Sequence, residues 1–304
     1  MYDCVILGSG PAGLTAAIYA QRAKLNSIII EKIYMGAGQI TDSERVDNYP
    51  GLYGENGFGL GKKFREHPEE LGAKFHRAEV TEIKSVNDGY YIVLSDGSTI
   101  DTKTIIYALG AERRKLNING EAEFIGKGVS YCAVCDGAFY RGKTVAVAGG
   151  GDTALGDAVL LSRFAEKVFI IHRRDQFRAN RDLQDKIKVL ENVNTIFNAK
   201  IIEIVGEKKV NAIKIEKNDS TQILPVNGVF VAVGSVPNSQ LLNGIVELDE
   251  QGYVVAGEDG KTSAKGIFVA GDVRAKAFRQ VVTAASDGAN CVYSVEEYLE
   301  NNVW

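Results

Sequence analysis

Cys132 and Cys135 stand with two residues between them in "YCAVCDG" (131–137), in a chain with only 4 cysteines, and Asp136 follows them directly. That spacing suits a redox-active pair, half of a zinc site, or a turn in which the pairing is incidental. A structural zinc site takes about four ligands, usually a second CxxC or two well-spaced histidines. The other candidates are Cys4 in a strand pattern, Cys291 in a helix pattern, and His67, His76 and His172. None forms a second ligand pair, so no metal site is expected. Cys4 and Cys291 read as small buried hydrophobes, and Cys132 with Cys135 as a candidate redox dithiol. A helix beginning at the pair would help to stabilise a thiolate. Asp136 fits a proton carrier for that thiolate, and equally a cap or turn residue.

Two glycine motifs supply a second kind of chemistry. "GSGPAG" (8–13) has the form G-x-G-x-x-G: Gly8 for a tight turn, Gly10 for approach of a pyrophosphate, Gly13 for close helix–strand packing. The unpaired N–H groups of the helix that follows favour an anion. Glu31, at the end of the next strand pattern, is placed to accept from a ribose diol. The second motif runs Gly149-x-Gly151-x-x-Ala154, with alanine at the packing position. Its next strand ends in His172-Arg173-Arg174, with Arg178 one turn on. Guanidinium groups there would bind a 2′-phosphate that an acid would repel; a solvated basic patch is the alternative. Asp272, in "VAGDV", fits either a contact to the ribityl chain of a flavin or a plain helix cap. A helix opening at Arg279-Gln280-Val281 would aim its N–H groups at the flavin's pyrimidine edge.

The elements that hold these residues repeat. "YDCVILGSGPAGLTAAIYAQRAKLNSIIIEK" predicts strand (4–7), turn, helix (11–24) and strand (27–30). "KTVAVAGGGDTALGDAVLLSRFAEKVFIIHRR" predicts the same order, with strands at 144–148 and 168–171 and a helix at 153–165. Alternating segments at 89–110 and 210–234 suggest antiparallel strands. "GIFVAGD" (266–272) suggests a strand leading into a long helix, about 279–299. The second βαβ unit is expected to lie in a domain at 114–243, inserted into a first domain formed by 1–113 and 244–304.

Length and composition frame this reading. The 304 residues suffice for two domains. The 33 glycines against 5 prolines point to tight turns and close backbone approaches, not disordered linkers. A net charge of −4 gives no reason to expect nucleic-acid binding, and no apolar run reaches the ~18 residues of a membrane span. "MYDCVILGSG" opens directly on a strand without a basic leader. A cytoplasmic protein is therefore expected, a setting in which CxxC is usually catalytic or metal-binding.

The combined pattern resembles the low-molecular-weight, FAD- and NADPH-dependent thioredoxin reductases. "GSGPAG", "GQITDSERVDNYPG", "CAVCDG", "GGGDTA", "HRRDQFRA", "FVAVGSVPN" and "GIFVAGDVRAKAFRQVVTAASDGA" stand in that family's order and spacing across nearly the whole chain. The resemblance implies an α/β fold of two Rossmann-like three-layer domains, the NADPH-binding domain inserted in the FAD-binding one, and a homodimer. It implies FAD contacts from Gly8, Gly10, Pro11, Ala12 and Gly13, from Glu31 and Lys32, and from Gly38, Gln39, Ile40 and Asn48. Further FAD contacts would come from Val80, Gly110, Gly271, Asp272, Arg279, Gln280, Val281 and Ala284. NADPH would meet Gly149, Gly151, Asp152 and Thr153, the His172, Arg173, Arg174 and Arg178 cluster, and Gly234. In that family Cys135 would face the flavin, Cys132 would attack the protein substrate, thioredoxin, and Asp136 would move the proton. The inserted domain would rotate, with hinge candidates near 111–117 and 242–246.

Three positions depart from the family pattern: Leu109, which lacks the hydroxyl usual there, Ala37 in place of glycine, and Gly156-Asp157 in place of two glutamates. A different electron donor or partner (ferredoxin, a peroxidase) and a dithiol oxidase are alternatives within the fold. The arginine cluster argues against the ferredoxin-fed and oxidase forms. Peroxidase-linked relatives usually carry an added N-terminal thioredoxin-like region. A non-enzymatic nucleotide-binding protein with a metal knuckle is the alternative outside it.

Overall fold

The computed structural model describes residues 1–33, 37–43, 45–218 and 220–301, with the backbone alone at Asp42. Met35 and Gly36 of "MGAGQI" and Glu44 of "GQITDSERVDNYPG" lie outside the described residues. The chain divides into two compact units, Met1–Glu112 with Val236–Trp304, and Arg113–Ser235.

The first unit opens with β1 (Tyr2–Leu7), α1 (Pro11–Arg22) and β2 (Ser27–Glu31). Next come α2 (Gly57–Glu70), β3 (Lys74–Arg77), β4 (Val80–Val86), β5 (Gly89–Leu94) and β6 (Thr99–Tyr107). The chain crosses to the inserted unit through β7 (Ala111–Arg113) and continues as β8 (Val129–Ser130), α3 (Ala133–Asp136), β9 (Thr144–Ala148) and α4 (Asp152–Leu161). It goes on through β10 (Lys167–Ile171), α5 (Arg181–Lys188), β11 (Val193–Ile196), β12 (Ala199–Gly206), β13 (Val210–Lys217), β14 (Ser220–Pro225) and β15 (Gly228–Val231). It returns through β16 (Ser235–Pro237), then β17 (Ile267–Val269) and α6 (Val281–Asn301).

In the first unit the sheet runs β3-β2-β1-β6-β5-β4, with β17 also on β6. The pairs β1–β2, β1–β6, β2–β3 and β17–β6 are parallel, and β4–β5 and β5–β6 antiparallel. Alternate residues of β1 serve opposite faces, as a period of two requires. Cys4 and Ile6 pack with Ala16, Ala17 and Ala20 of α1 and with Cys291, Val292 and Val295 of α6. Val5 and Leu7 pack with Ile92, Leu94, Leu242 and Val254. Each fully buried Ile, Leu or Val contributes about 1.5–3 kcal/mol.

The inserted unit carries an all-parallel sheet, β11-β10-β9-β15-β8, and a separate antiparallel β12-β13-β14 layer. Val145, Val147, Val168 and Ile170 face Ala154, Leu155 and Leu161 of α4. Ala146, Ala148 and Ile171 face Ile201, Ile213 and Ile215 of the antiparallel layer. Helices, parallel sheet and antiparallel sheet make the three layers.

The structure departs from the sequence-based expectation at several points. Among the described residues of 210–234, β13 and β14 are the antiparallel strands. Gly228–Val231 instead joins the parallel sheet between β9 and β8, as a fully buried apolar run does. The second crossing falls at 235/236, not 243/244, because Leu242 and Val246 are buried in the first unit's core.

Candidate functional site

In the first unit the glycine turn is dictated by space. Gly8 has φ +103°, and a Cβ there would lie 2.5 Å from the Ala108 carbonyl oxygen. A Cβ on Gly13 would lie 1.9 Å from the Gly8 oxygen, so only glycine lets α1 start this close to β1. A Cβ on Gly10 would find Gly38 Cα nearest, at 3.9 Å, which leaves an open approach at the head of α1. No side chain caps α1 at Gly10, and Pro11 opens it. Gly271, at φ +80°, lies against the same turn, since its Cβ would come 2.9 Å from Ala12 Cβ. The loops around Gly8–Gly13, Gly38 and Gly271 therefore form one small-residue cradle with uncapped N–H groups, and a dinucleotide pyrophosphate fits it.

The residues around this cradle are held by long-range contacts. Asn48 Nδ2 donates to Gln280 Oε1 at 2.9 Å, which brings two expected site residues together. Gln39 Nε2 donates to the Ala111 carbonyl. Arg279 Nε donates to the Asp272 carbonyl at 3.2 Å, and its guanidinium lies 4.0 Å from the Tyr253 ring centroid. Asp287, buried on α6, accepts from Gly271 N–H at 2.9 Å, from Arg274 Nη2 at 2.8 Å and from Lys276 Nζ at 2.9 Å. Neither Asp287 nor Lys276 stands out in the sequence, yet both sit directly behind the Gly271–Asp272 turn. Ile40 and Ala284 are buried, and Gly110 has φ +68°. Val80 opens β4, and Lys32 is exposed and paired with Glu79 at 2.7 Å.

Glu31, the last residue of β2, is engaged within the protein. It is 4% exposed, and its Oε2 accepts from Arg65 Nη1 of α2 at 2.6 Å. Arg65, 3% exposed, also donates to Glu69 at 2.6 Å and lies over the Phe75 ring at 3.4 Å.

In the inserted unit β8 leads straight into the cysteine turn. Cys132 and Cys135 are joined as a disulfide with Cα atoms 5.3 Å apart. Cys132 is the N-cap of α3, and its Sγ accepts from the Cys135 N–H at 3.2 Å. Both cysteines are half-buried, and Val134 and Phe139 beside them are exposed. The buried Ser130 hydroxyl contacts Asp136 Oδ2 at 2.5 Å and accepts from Cys132 N–H at 3.1 Å. Tyr131 donates to Glu121 Oε1 at 2.8 Å, while that buried carboxylate also accepts the Leu116 and Asn117 N–H groups. By contrast Cys4 and Cys291 are free and fully buried. Burial pushes the Cys4 thiol up to about 12 and Cys291 up as well.

The second glycine turn follows β9. Gly149 has φ +151°, and its Cβ would lie 2.3 Å from the Ala232 oxygen. A Cβ on Gly151 would meet nothing within 4 Å, so the head of α4 is open in front, again without a side-chain cap. This turn also fits a pyrophosphate. Thr153, Arg173, Arg174 and Arg178 are exposed beside it, and Arg178 N–H closes onto the Gly150 carbonyl at 2.8 Å. Asp152 Oδ1 accepts from Asn180 N–H at 2.7 Å and so anchors the start of α5. Gly234 has φ +102°.

His172 is not exposed with the arginines. It is 5% exposed, its Nε2 lies 3.1 Å from the Gln176 carbonyl, and its ring fills the space where a Cβ on Gly150 would be. Burial, joined by the charges of Arg174, Arg178 and Arg173, holds its pKa below the ordinary value. The ring therefore supports the turn from beneath. Asp157, on α4, is pushed up to about 7 by burial against the opposing pull of Arg113.

Residues 2–288 match the pyridine nucleotide-disulphide oxidoreductase family. The thioredoxin reductase of Listeria innocua is 43% identical over 305 residues, covering 99% of this chain and 94% of that protein. The thioredoxin reductase of Bacillus subtilis is 40% identical over 306 residues, covering 99% and 95%. The crystal structure of the Streptococcus pyogenes thioredoxin reductase superposes with a TM-score of 0.94 at 39% identity, covering 99% of each chain.

Proposed function

The chain belongs to the pyridine nucleotide-disulphide oxidoreductase family, among its thioredoxin reductases, and on that premise we propose that it reduces the disulfide of oxidised thioredoxin at the expense of NADPH. The observation that carries this is the Cys132–Cys135 disulfide with Asp136 beside it, in a chain with two unlike dinucleotide cradles. When bound, NADPH supplies a hydride and FAD passes its two electrons to the disulfide.

The chain's own residues bind, orient and exchange protons. Gly8, Gly10 and Gly13 admit the FAD pyrophosphate at α1. Asn48, Gln280, Arg279 and Asp272 line the remainder of that cradle. Glu31, held by Arg65, presents a fixed carboxylate to the adenosine ribose. Gly149 and Gly151 admit the NADPH pyrophosphate, and Arg173, Arg174 and Arg178 take its 2′-phosphate. The reduced pair holds a thiolate on Cys132, a proton on Cys135 and a proton on the Asp136 carboxyl. Cys132 Sγ bonds to one partner sulfur, the partner S–S bond breaks, and the leaving sulfur takes the electron pair and the Asp136 proton. Cys135 then gives its proton to Asp136 and attacks Cys132 Sγ. The second partner sulfur leaves with the pair and takes that proton. The protein acts in this reading as a homodimer in the cytoplasm, with the exposed Val134 and Phe139 beside the bond that the partner must reach.

A visible spectrum of the purified protein tests the reading. Flavin bands that bleach with NADPH and return with oxidised thioredoxin are expected. A colourless protein that binds zinc would overturn it.

A further inference from the structure

Ser130, the last residue of β8, is 5% exposed, and its hydroxyl lies between two groups of the redox turn. It accepts from the Cys132 N–H at 3.1 Å. It has one proton to give and two oxygens in reach, Asp136 Oδ2 at 2.5 Å and the Cys132 carbonyl at 3.4 Å. The nearer, charged acceptor takes it. Asp136 N–H donates in turn to the Cys132 carbonyl at 3.1 Å. One buried side chain thus ties the carboxylate to the backbone of the cysteine that caps α3.

We propose that Ser130 is a positioning residue for proton exchange at Cys132, fixing the Asp136 carboxyl against that cysteine. The inference rests on the reading of Asp136 as the proton carrier. Its chemistry follows from the hydrogen bond's polarity. A donor to the carboxylate favours the charged form, so the carboxyl gives up its proton readily to a leaving thiolate. Without that donor the carboxyl holds its proton to higher pH. The charged and titratable groups on the segments around the turn include the reduced Cys132 and Cys135 themselves, Asp157 on α4, which packs on α3, Arg113 near Asp157 and Tyr131, Glu121 bound to Tyr131, and Tyr140 and Lys143 on the following turn. A Ser130 substitution removes none of them, so they form a common background for the comparison.

The test measures two pH profiles on the FAD-loaded enzyme at saturating NADPH: reduction of oxidised thioredoxin, and alkylation of Cys132 by iodoacetamide. In Ser130→Ala the apparent pKa assigned to Asp136 moves up by about one pH unit in both, the size of one charge-assisted hydrogen bond to a carboxylate. Ser130→Thr, which keeps the hydroxyl and suits a strand, retains the wild-type profile. Asp136→Asn removes the titration step altogether. If Ser130→Ala superimposes on wild type while Asp136→Asn loses the step, the inference about Ser130 is wrong and the reading of Asp136 stands. If threonine shifts the profile as far as alanine, packing and not the hydroxyl is responsible, which also overturns it. If Asp136→Asn keeps the wild-type profile, the underlying reading fails.

Discussion

Replacing Arg65 by methionine keeps most of its volume and its contact with the Phe75 ring, but withdraws the charge that faces Glu31. Both side chains are almost wholly buried, at 4% and 3% side-chain exposure, and meet at 2.6 Å. A carboxylate left in such a place without its cation cannot regain water. Breaking one partner of a buried pair costs about 3–5 kcal/mol. The second arginine contact serves as the internal control, because the Glu69 side chain is 42% exposed. Glu69→Gln should therefore cost under about 1 kcal/mol. Glu31→Gln with Arg65→Met together should cost less than the two single changes summed, by about 2 kcal/mol, since they share one interaction. Urea unfolding of the apoprotein, followed by far-UV circular dichroism with the m-value checked in each variant, reads these differences. FAD affinity measured by reconstitution should fall in Arg65→Met as Glu31 loses its fixed orientation. An Arg65→Met protein within 0.5 kcal/mol of wild type at unchanged m would show that Glu31 does not depend on the Arg65 charge.

Three further outcomes follow from the sites. Arg173→Ala and Arg174→Ala should each raise KM for NADPH about 10- to 100-fold, the worth of a charge-assisted contact, and leave that for NADH unchanged; equal effects on both would exclude a 2′-phosphate contact. Asp157 binds its proton up to about 7 in the folded chain against an ordinary 3.8, so the folded state holds the extra proton between these values and stability falls as pH rises through them. Asp157→Asn should therefore be more stable than wild type above about pH 7 and lose that advantage towards pH 3.8; a thermal-midpoint difference independent of pH would count against a buried carboxylate. Gly13→Ala places a Cβ 1.9 Å from the Gly8 oxygen and should yield protein without FAD, so a normal flavin-to-protein ratio would contradict the cradle described here.

The parts of this molecule that are legible in its sequence are those fixed by local geometry. Gly8 and Gly149 announce themselves because their φ values and the carbonyls facing them admit no side chain. The strands and helices of both βαβ units follow from short apolar runs and their spacing. What escapes the sequence depends on distant partners. Helix α2 carries three glycines and Pro68, a composition that argues against a helix. It forms because Leu60 and Phe64 pack with Leu14, Ile40 and Val46. Arg65 gains its role only when that helix brings it to Glu31, 34 positions away. His172 reads as one of a basic trio, but its ring is drawn under Gly150 by the aromatic pair Phe177 and Phe197. Ser130 looks like any strand serine until the turn at Cys132 folds Asp136 back onto it. The second crossing is misplaced for a similar reason: "GSVPNSQLLNG" has no composition break, and only the burial of Leu242 assigns it to the first unit.

Electrons follow an ordered path in the proposed reaction: Cys135 receives them from the flavin and Cys132 delivers them to the partner. Anaerobic NADPH titration of Cys135→Ser beside wild type tests it most directly, with flavin absorbance and thioredoxin thiols followed together. The variant's flavin is expected to bleach with NADPH while thioredoxin stays oxidised. Thioredoxin reduction by Cys135→Ser at the wild-type rate would contradict it.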